Sequence, residues 1–521
     1  MNKLGSYLFF LSSIFLSGSL AQAESVPEIP LTQVLHGFMS HQDGTVLGEV
    51  LLSDEKNDEK HVRIKTYRFT SQIWPVTTTA DVPTTEWKHR LTLYIPDDLN
   101  QDTALLHVGG GYNWDKDGKE NFQESREKLD FVGIAQKNRA IVVHLQDVPN
   151  QFLSVGGRFQ KEDQILAYTY MQVMKDPLKN AYLAGHLPMV KAILKGMDAV
   201  QSILLKEEIG IKGFVLSGAS KRGWAVWLAV LEDERIQAII PIVIDILNTQ
   251  KSISHICYTY QDGCPFALRD YAEAGVTSRL ETEEFADLMK IEDPFSYLGP
   301  GYAPRYRVRM AKPKLIISAS GDDFFTPDSS WWYFQALPGL QNHIRYLPNS
   351  MHYFAGNPIS DSTKSLESIN QSVLSYFGFI LHQKTLPKLS WSFSQDQIHL
   401  LSSHKPKKAV LWSAQNEESR DFRFINKHTT WHLLKKRIRL FFSMEVCDTC
   451  YVAQEVPLTC EGASCEIITQ SPAIKKGWQA SFLELHYDID GTDFVLSTEV
   501  HIREAAHPSS HGAVKELPGG H

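Results

Sequence analysis

The chain has 521 residues, 43% hydrophobic and 21% charged, with a net charge of −8 and a pI near 6.2. That is the composition of a folded soluble protein long enough for more than one domain. Its mild acidity gives no sign of nucleic acid or an anionic membrane as a partner.

At the N-terminus, Lys3 precedes an apolar run from Leu4 to Leu20, and Ala21-Gln22-Ala23 has the small-x-small pattern of a signal-peptidase site. The run is too short and too rich in serine for a comfortable membrane anchor. Residues 1–23 are therefore expected to be a signal peptide cleaved near Ala23, giving a periplasmic or secreted protein. No later segment has the length and apolarity of a transmembrane helix, so the mature chain is expected to have no membrane span.

Beyond the signal, "HVRIKTYRFTSQIW" (His61–Trp74) and "HRLTLYIP" (His89–Pro96) alternate like half-buried strands. "TALLHVGGGYN" is a strand that stops in Gly109, Gly110 and Gly111, and "AIVVHLQDVPN" is another apolar strand. Apolar residues at helical spacing follow around Glu162–Met174 and Met189–Leu205. "FVLSGASKRGWAVW" reads as strand, turn and helix, and "AIIPIVIDILN" as a buried parallel strand. A mostly helical insertion occupies 249–309 and is expected to act as a lid that sets substrate choice. "PKLIISASGDDFFTPDSSWWYFQAL" reads as strand, loop and helix, and "HIRYLPNSMHYF" as strand and loop before a helix near Ile369–His382. Strands alternating with helices indicate a doubly wound, mostly parallel α/β sheet over 24–385. From 386 to 505 short alternating strands dominate, the pattern of a small β-sandwich, and 506–521 is expected to be a disordered tail.

The six cysteines suit an oxidising compartment. Cys257 and Cys264 flank a polar turn, while Cys447, Cys450, Cys460 and Cys465 cluster near the C-terminus. Cys447-x-x-Cys450 would serve as half of a zinc site, but export favours disulfides, with the pairing of the four left open.

The functional question centres on Ser220. A hydrolase of this architecture holds its nucleophile on a strained strand-to-helix turn flanked by small residues. Gly218 stands two before Ser220, but Arg222 replaces the usual glycine two after, with Gly223 one step later. A helix-capping serine would explain that stretch equally well. Chain order tips the balance, because a carboxylate and a histidine follow past later strands in the order Ser…Asp…His. Asp322 and Asp323 stand past one apolar strand, with Asp322 favoured as the acid, and His352 past the next. Asp245, read as ending the strand immediately after the elbow helix, is a further contender, its plainer role being a carboxylate bonded to loop amides and to Asn248. The amide of Lys221, with Gly110 and Gly111, suits an oxyanion hole, whereas no phosphate-loop pattern occurs. The cations of Lys221 and Arg222 suit an acidic substrate group, with Arg222 the candidate contact; the plainer role is pairing with a carboxylate. "SSWWYF" (Ser329–Phe334) reads as pocket lining or as core.

These residues resemble a known family, the PhoPQ-activated pathogenicity-related proteins, which include an autocrine proliferation repressor. The likeness rests on "TSQIW" with "WKHRLTLYIP", "LSGASKRGW", "IIPIVIDILN", "GDDFFTPDSSWWYFQALPG" with "RYLPNSMHY", and "VLWSAQNEESRDFRF". It implies an α/β-hydrolase fold with Ser220, Asp322 and His352 as a triad, and virulence or proliferation as the setting. Where the family reads Gly-Asp-Glu-Phe-Phe this chain has Asp323, and its PNTDH-like stretch is "PNSMH". The expectation is an exported serine hydrolase acting on a small-molecule, peptide or ester substrate, with no metal or cofactor. The rival is a secreted binding or signalling protein on the same scaffold.

Overall fold

A strand that is apolar at every position must be covered on both faces. The computed structural model describes residues 29–505, apart from 46–47, 77–80, 124–128, 261–262, 354–361, 395 and 424–448. The expected signal peptide, the C-terminal tail and Cys447 lie outside the described residues. The largest sheet holds β1 (Val50–Asn57), β2 (Val62–Trp74), β3 (Thr85–Pro96), β4 (Thr103–Val108) and β5 (Val142–Leu145). It continues with β6 (Gly213–Ala219), β7 (Ile236–Ile242), β8 (Lys314–Ala319) and β9 (Asn342–Leu347). In space the order is β1-β2-β3-β5-β4-β6-β7-β8-β9. β1, β2 and β3 run antiparallel, as does β3 against β5. From β5 to β9 every neighbouring pair is parallel.

The helices are α1 (Val34–Ser40), α2 (Phe131–Asn138), α3 (Asp163–Lys175), α4 (His186–Leu205) and α5 (Lys221–Glu232). They continue with α6 (Thr249–Thr259), α7 (Arg269–Ala274), α8 (Glu283–Glu292), α9 (Pro304–Met310) and α10 (Ser362–Leu381). Leu106, Leu216, Ile239 and Ile316 join the core under α4 and α5, whereas Leu105, Val215, Ile240 and Ile317 join the core under α2 and α10. Alternate side chains thus leave the sheet on opposite faces, which explains why these strands carry no polar stripe. The helices α6 to α9 form the insertion between β7 and β8. Among the described residues no helix is long and apolar enough to cross a membrane.

Past α10 the strands are β10 (Leu389–Phe393), β11 (Gln397–Ser402), β12 (Lys408–Asn416), β13 (Val452–Val456) and β14 (Thr459–Glu461). β15 (Ser464–Gln470), β16 (Trp478–Ile489), β17 (Thr492–Ser497) and β18 (His501–Glu504) complete them. They make two antiparallel sheets, β10-β11-β15-β14 and β13-β12-β16-β17, with β18 added on β16. Leu400 and Ile467 of one sheet and Leu411, Leu483 and Leu485 of the other share a core with Val373 and Phe377 of α10. Disulfides join Cys257 to Cys264 and Cys460 to Cys465, and Cys450 is disulfide-bonded as well. A disulfide-bonded cysteine has no thiolate to offer a metal, so Cys450, Cys460 and Cys465 are not zinc ligands in this state.

One element differs from its expectation. The stretch after Asp328 forms two 3₁₀ turns, Ser329–Trp332 and Phe334–Ala336, in place of one helix. Its aromatic side chains leave toward different partners. The Trp331 indole donates to the Val500 carbonyl (3.0 Å) and stacks near Phe393, Tyr333 donates to Asp245, and Phe334 stacks on Trp391. None of "SSWWYF" lines the cavity beside Ser220; the stretch fastens the C-terminal sheets to the large one.

Candidate active site

β6 ends at Ala219 and α5 begins at Lys221, so Ser220 alone makes the turn, with φ 57° and ψ −131°. A non-glycine residue in that region carries about 1–3 kcal/mol of strain. The turn is held by the Ser220 amide on the Ile242 carbonyl (2.8 Å) and by the Trp224 amide on the Ser220 carbonyl (3.0 Å). Gly223 takes over from the missing glycine: a Cβ there would stand 2.7 Å from the Gly218 carbonyl oxygen and 2.8 Å from Ile244. The close approach of helix to strand thus falls at position 223, and position 222 can carry a long side chain.

The Ser220 hydroxyl lies 2.9 Å from Nε2 of His352, in the loop past β9. Nδ1 of His352 lies 3.1 and 3.0 Å from the two carboxylate oxygens of Asp322, past β8. Asp322 is itself fixed by the Phe324 and Phe325 amides, which donate to Oδ1 at 2.7 and 3.2 Å. The Phe324 ring packs on the imidazole with centroids 4.3 Å apart. Burial disfavours the imidazolium, but the charge and hydrogen bond of Asp322 outweigh it, and the His352 pKa is raised above its ordinary value. Neutral His352 with this orientation can take a proton from Ser220.

The other two carboxylates stand elsewhere. Asp323 makes no hydrogen bond to His352, and burial together with the Asp322 charge pushes it up to about 6. Asp245, past β7, accepts from the hydroxyls of Tyr333 (2.8 Å) and Tyr346 (2.5 Å). Burial, opposed by those two hydrogen bonds and helped by the Asp322 charge, pushes Asp245 up to about 7. Its partners are tyrosines rather than loop amides, and the Asn248 amide goes instead to the Trp332 carbonyl.

In the glycine loop, the Gly109 amide donates to the Leu145 carbonyl, and the Gly109 and Gly110 carbonyls accept from Val148 and Asp147. The Gly110 and Gly111 amides donate to no acceptor among the described residues. Gly111 has φ 124°. A Cβ on Gly110 would stand 2.7 Å from Nη2 of Arg222, so only glycine lets the guanidinium lie against this loop. The Lys221 amide, first in α5, belongs to the helix N–H groups that lack an intrahelical acceptor.

Lys221 and Arg222 point into a buried ion cluster. Arg222 donates from Nε to the Val148 carbonyl (2.7 Å) and from Nη2 to Glu162 Oε1 (2.7 Å). Lys221 Nζ lies 2.8 Å from Glu162 and 3.4 Å from Asp163. Burial opposes ionisation of Glu162, yet the charges of Arg222 and Lys221 hold it far below the usual carboxylate range. Gln151 completes the set with a 2.8 Å bond to Glu162. Arg222 therefore sits behind the glycine loop and does not line the cavity. The sequence carried a signal for this cluster, an acidic doublet at the start of α3 to match the basic doublet at the start of α5.

Beside Ser220 lies a cavity walled by α3, α5, the loops after β7 and β8, and the insertion. Among the described residues no group of three or more His, Cys, Asp or Glu side chains is placed to hold a metal.

The strand order, with its antiparallel start, parallel remainder and serine elbow after β6, defines an α/β-hydrolase fold. The chain belongs to the PhoPQ-activated pathogenicity-related protein family, which it matches over residues 50–423. It is 31% identical over 434 residues to autocrine proliferation repressor protein A of Dictyostelium discoideum, covering 80% of this chain and 79% of that protein. Among solved structures it is similar to acetyl xylan esterase 1 from Thermoanaerobacterium sp. JW/SL YS485, at 11% identity and TM-score 0.40, covering 68% of this chain and 94% of that one. The rice cell wall degrading esterase LipA from Xanthomonas oryzae is similar at 13% identity and TM-score 0.37, covering 66% of this chain and all of that one.

Proposed function

We propose that the protein is an exported serine hydrolase cleaving an ester or amide bond, its hydrolase domain spanning 24–385 and its β-sandwich 386–505. The observation that carries this reading is the continuous hydrogen-bonded chain from Ser220 through His352 to Asp322 at a strained elbow. Ser220 Oγ attacks the carbonyl carbon while His352 Nε2 takes its proton, and Asp322 stabilises the imidazolium. The oxyanion accepts from the amides of Lys221, Gly110 and Gly111. His352 then protonates the leaving oxygen or nitrogen, and an acyl-serine ester remains. Water, deprotonated by His352, attacks that ester, releases the acid and restores the Ser220 hydroxyl. Arg222 acts as a positioning residue, holding the glycine loop against α5, and not as a substrate contact.

A fluorophosphonate probe tests this directly. Labelling of the wild type that disappears in Ser220→Ala is the expected result. A folded, unlabelled wild type would overturn the reading and favour a binding or signalling protein, in keeping with the repressor named among its relatives.

A further inference from the structure

We infer that the cavity roofed by the insertion binds an aliphatic acyl chain, so that the substrate is an ester of an apolar acid. This rests on the hydrolase reading of Ser220. The nucleophile itself lines the cavity, which places the occupant's carbonyl end at Ser220 and its remainder among the other lining side chains. Trp224 of α5, with Ile244 and Phe324 of the loops after β7 and β8, forms one wall, and Ile253, Leu280 and Phe285 form the wall contributed by the insertion.

Among the described residues, the polar side chains of the lining other than Ser220 and Thr277 are engaged with protein partners, which leaves little to hold a charged or sugar-like group. Lys221 and Asp163 face the cavity already engaged, Lys221 with Glu162 and Asp163. The Tyr271 hydroxyl donates to Asp163 (3.0 Å), and the Tyr170 hydroxyl lies 3.2 Å from Nδ1 of His186. A sugar buried here would lose water from several hydroxyls without equivalent partners, and an acid would lie against paired charges. An alkyl chain loses nothing by leaving water and meets apolar side chains on both walls.

The roof is held in place from the C-terminal side. Asp328 receives the Arg420 guanidinium and lies 3.2 Å from His255 of α6, and the Arg423 guanidinium sits 3.5 Å over the Tyr260 ring. The segment leading out of β12 thereby clamps α6 above the elbow and keeps the apolar wall opposite Trp224.

The test is a series of p-nitrophenyl esters from acetate through butyrate to octanoate, hydrolysed by the full chain. Each added methylene that enters the cavity should raise kcat/KM about fourfold, until the chain outgrows it. Leu280→Glu should abolish the rise while leaving acetate turnover measurable. Should that variant fail to fold, Val276→Phe, at a further lining position, fills space without adding charge and should shift the optimum to a shorter chain. Labelling with a short-chain fluorophosphonate is run alongside. Labelled Ser220 with a flat or falling ester series overturns the acyl pocket and leaves the hydrolase standing. Absence of labelling and of all turnover overturns the hydrolase reading and this substrate assignment with it.

Discussion

The loops that leave β7 and β8 make an instructive pair. Each follows the carboxyl end of a parallel strand, the strands are neighbours, and each loop carries a buried aspartate, Asp245 in one and Asp322 in the other. Asp322 is met by two backbone amides on one side and an imidazole on the other. Asp245 is met by two tyrosine hydroxyls, one of them from Tyr346 on β9, and burial carries its pKa to about 7. A strand end alone therefore does not make a catalytic acid. What differs is the donor set: amides and a histidine favour a carboxylate that must stay charged, while phenols in a dry site tolerate a neutral acid.

The sharpest way to break this comparison is to neutralise each acid in turn. Asp322→Asn should lower kcat about 10⁴-fold, because the imidazole loses both its orientation and the partner of its charged form. Asp245→Asn should leave kcat close to wild type, since its bonds go to tyrosines and not to His352. Steady-state kinetics on any ester the wild type turns over decides it, and equal losses in the two variants would end the distinction.

The pH profile of kcat/KM gives the next largest effect. The base must be neutral, so activity is lost as pH falls through the His352 pKa, which lies above the ordinary value of 6.5. In Asp322→Asn the burial of His352 remains while the charge that opposed it is gone, so the acid limb of the residual activity should move to lower pH. Asp323→Asn should move it the same way by less, because Asp323 supports the imidazolium only through space and ranks behind Asp322. A limb unmoved in both variants would mean that another group controls it.

How much of this was legible in the sequence follows from how far apart the partners lie along the chain. The parallel strands announced themselves because apolar residues on both faces are a local pattern. The order of Ser220, Asp322 and His352 was legible too, since each follows its own strand directly. What could not be read were contacts made by loops that meet only in the fold. Glu162 reaches Arg222 across 60 residues, and Asp245 reaches Tyr346 across 101. The imperfect elbow looked like a weakened motif for the same reason. The role of Gly223 is set by the Gly218 carbonyl and Ile244, and that of Arg222 by Val148 and Glu162; of these the motif contains only Gly218.

The smallest effect isolates the electrostatic half of the comparison. Asp245 has a folded pKa near 7 against 3.8 for the ordinary group, so the folded state holds its proton more tightly than the unfolded one. Its contribution to stability is fully present below 3.8 and is lost as pH rises through that window to about 7. Glu162 works in the opposite sense: its lowered pKa contributes stability above 4.5 that is lost as pH falls. Asp293, raised to about 6, adds to the same downward trend as Asp245, so the wild-type melting curve alone cannot isolate one group. The difference between Asp245→Asn and wild type can, because the other groups cancel in it. The variant's melting temperature should gain on the wild type as pH rises from about 4 to 7, and the gap should level off beyond that. A gap that stays constant with pH would mean that Asp245 is ionised in the folded protein throughout, and the two loops would then differ in geometry but not in charge.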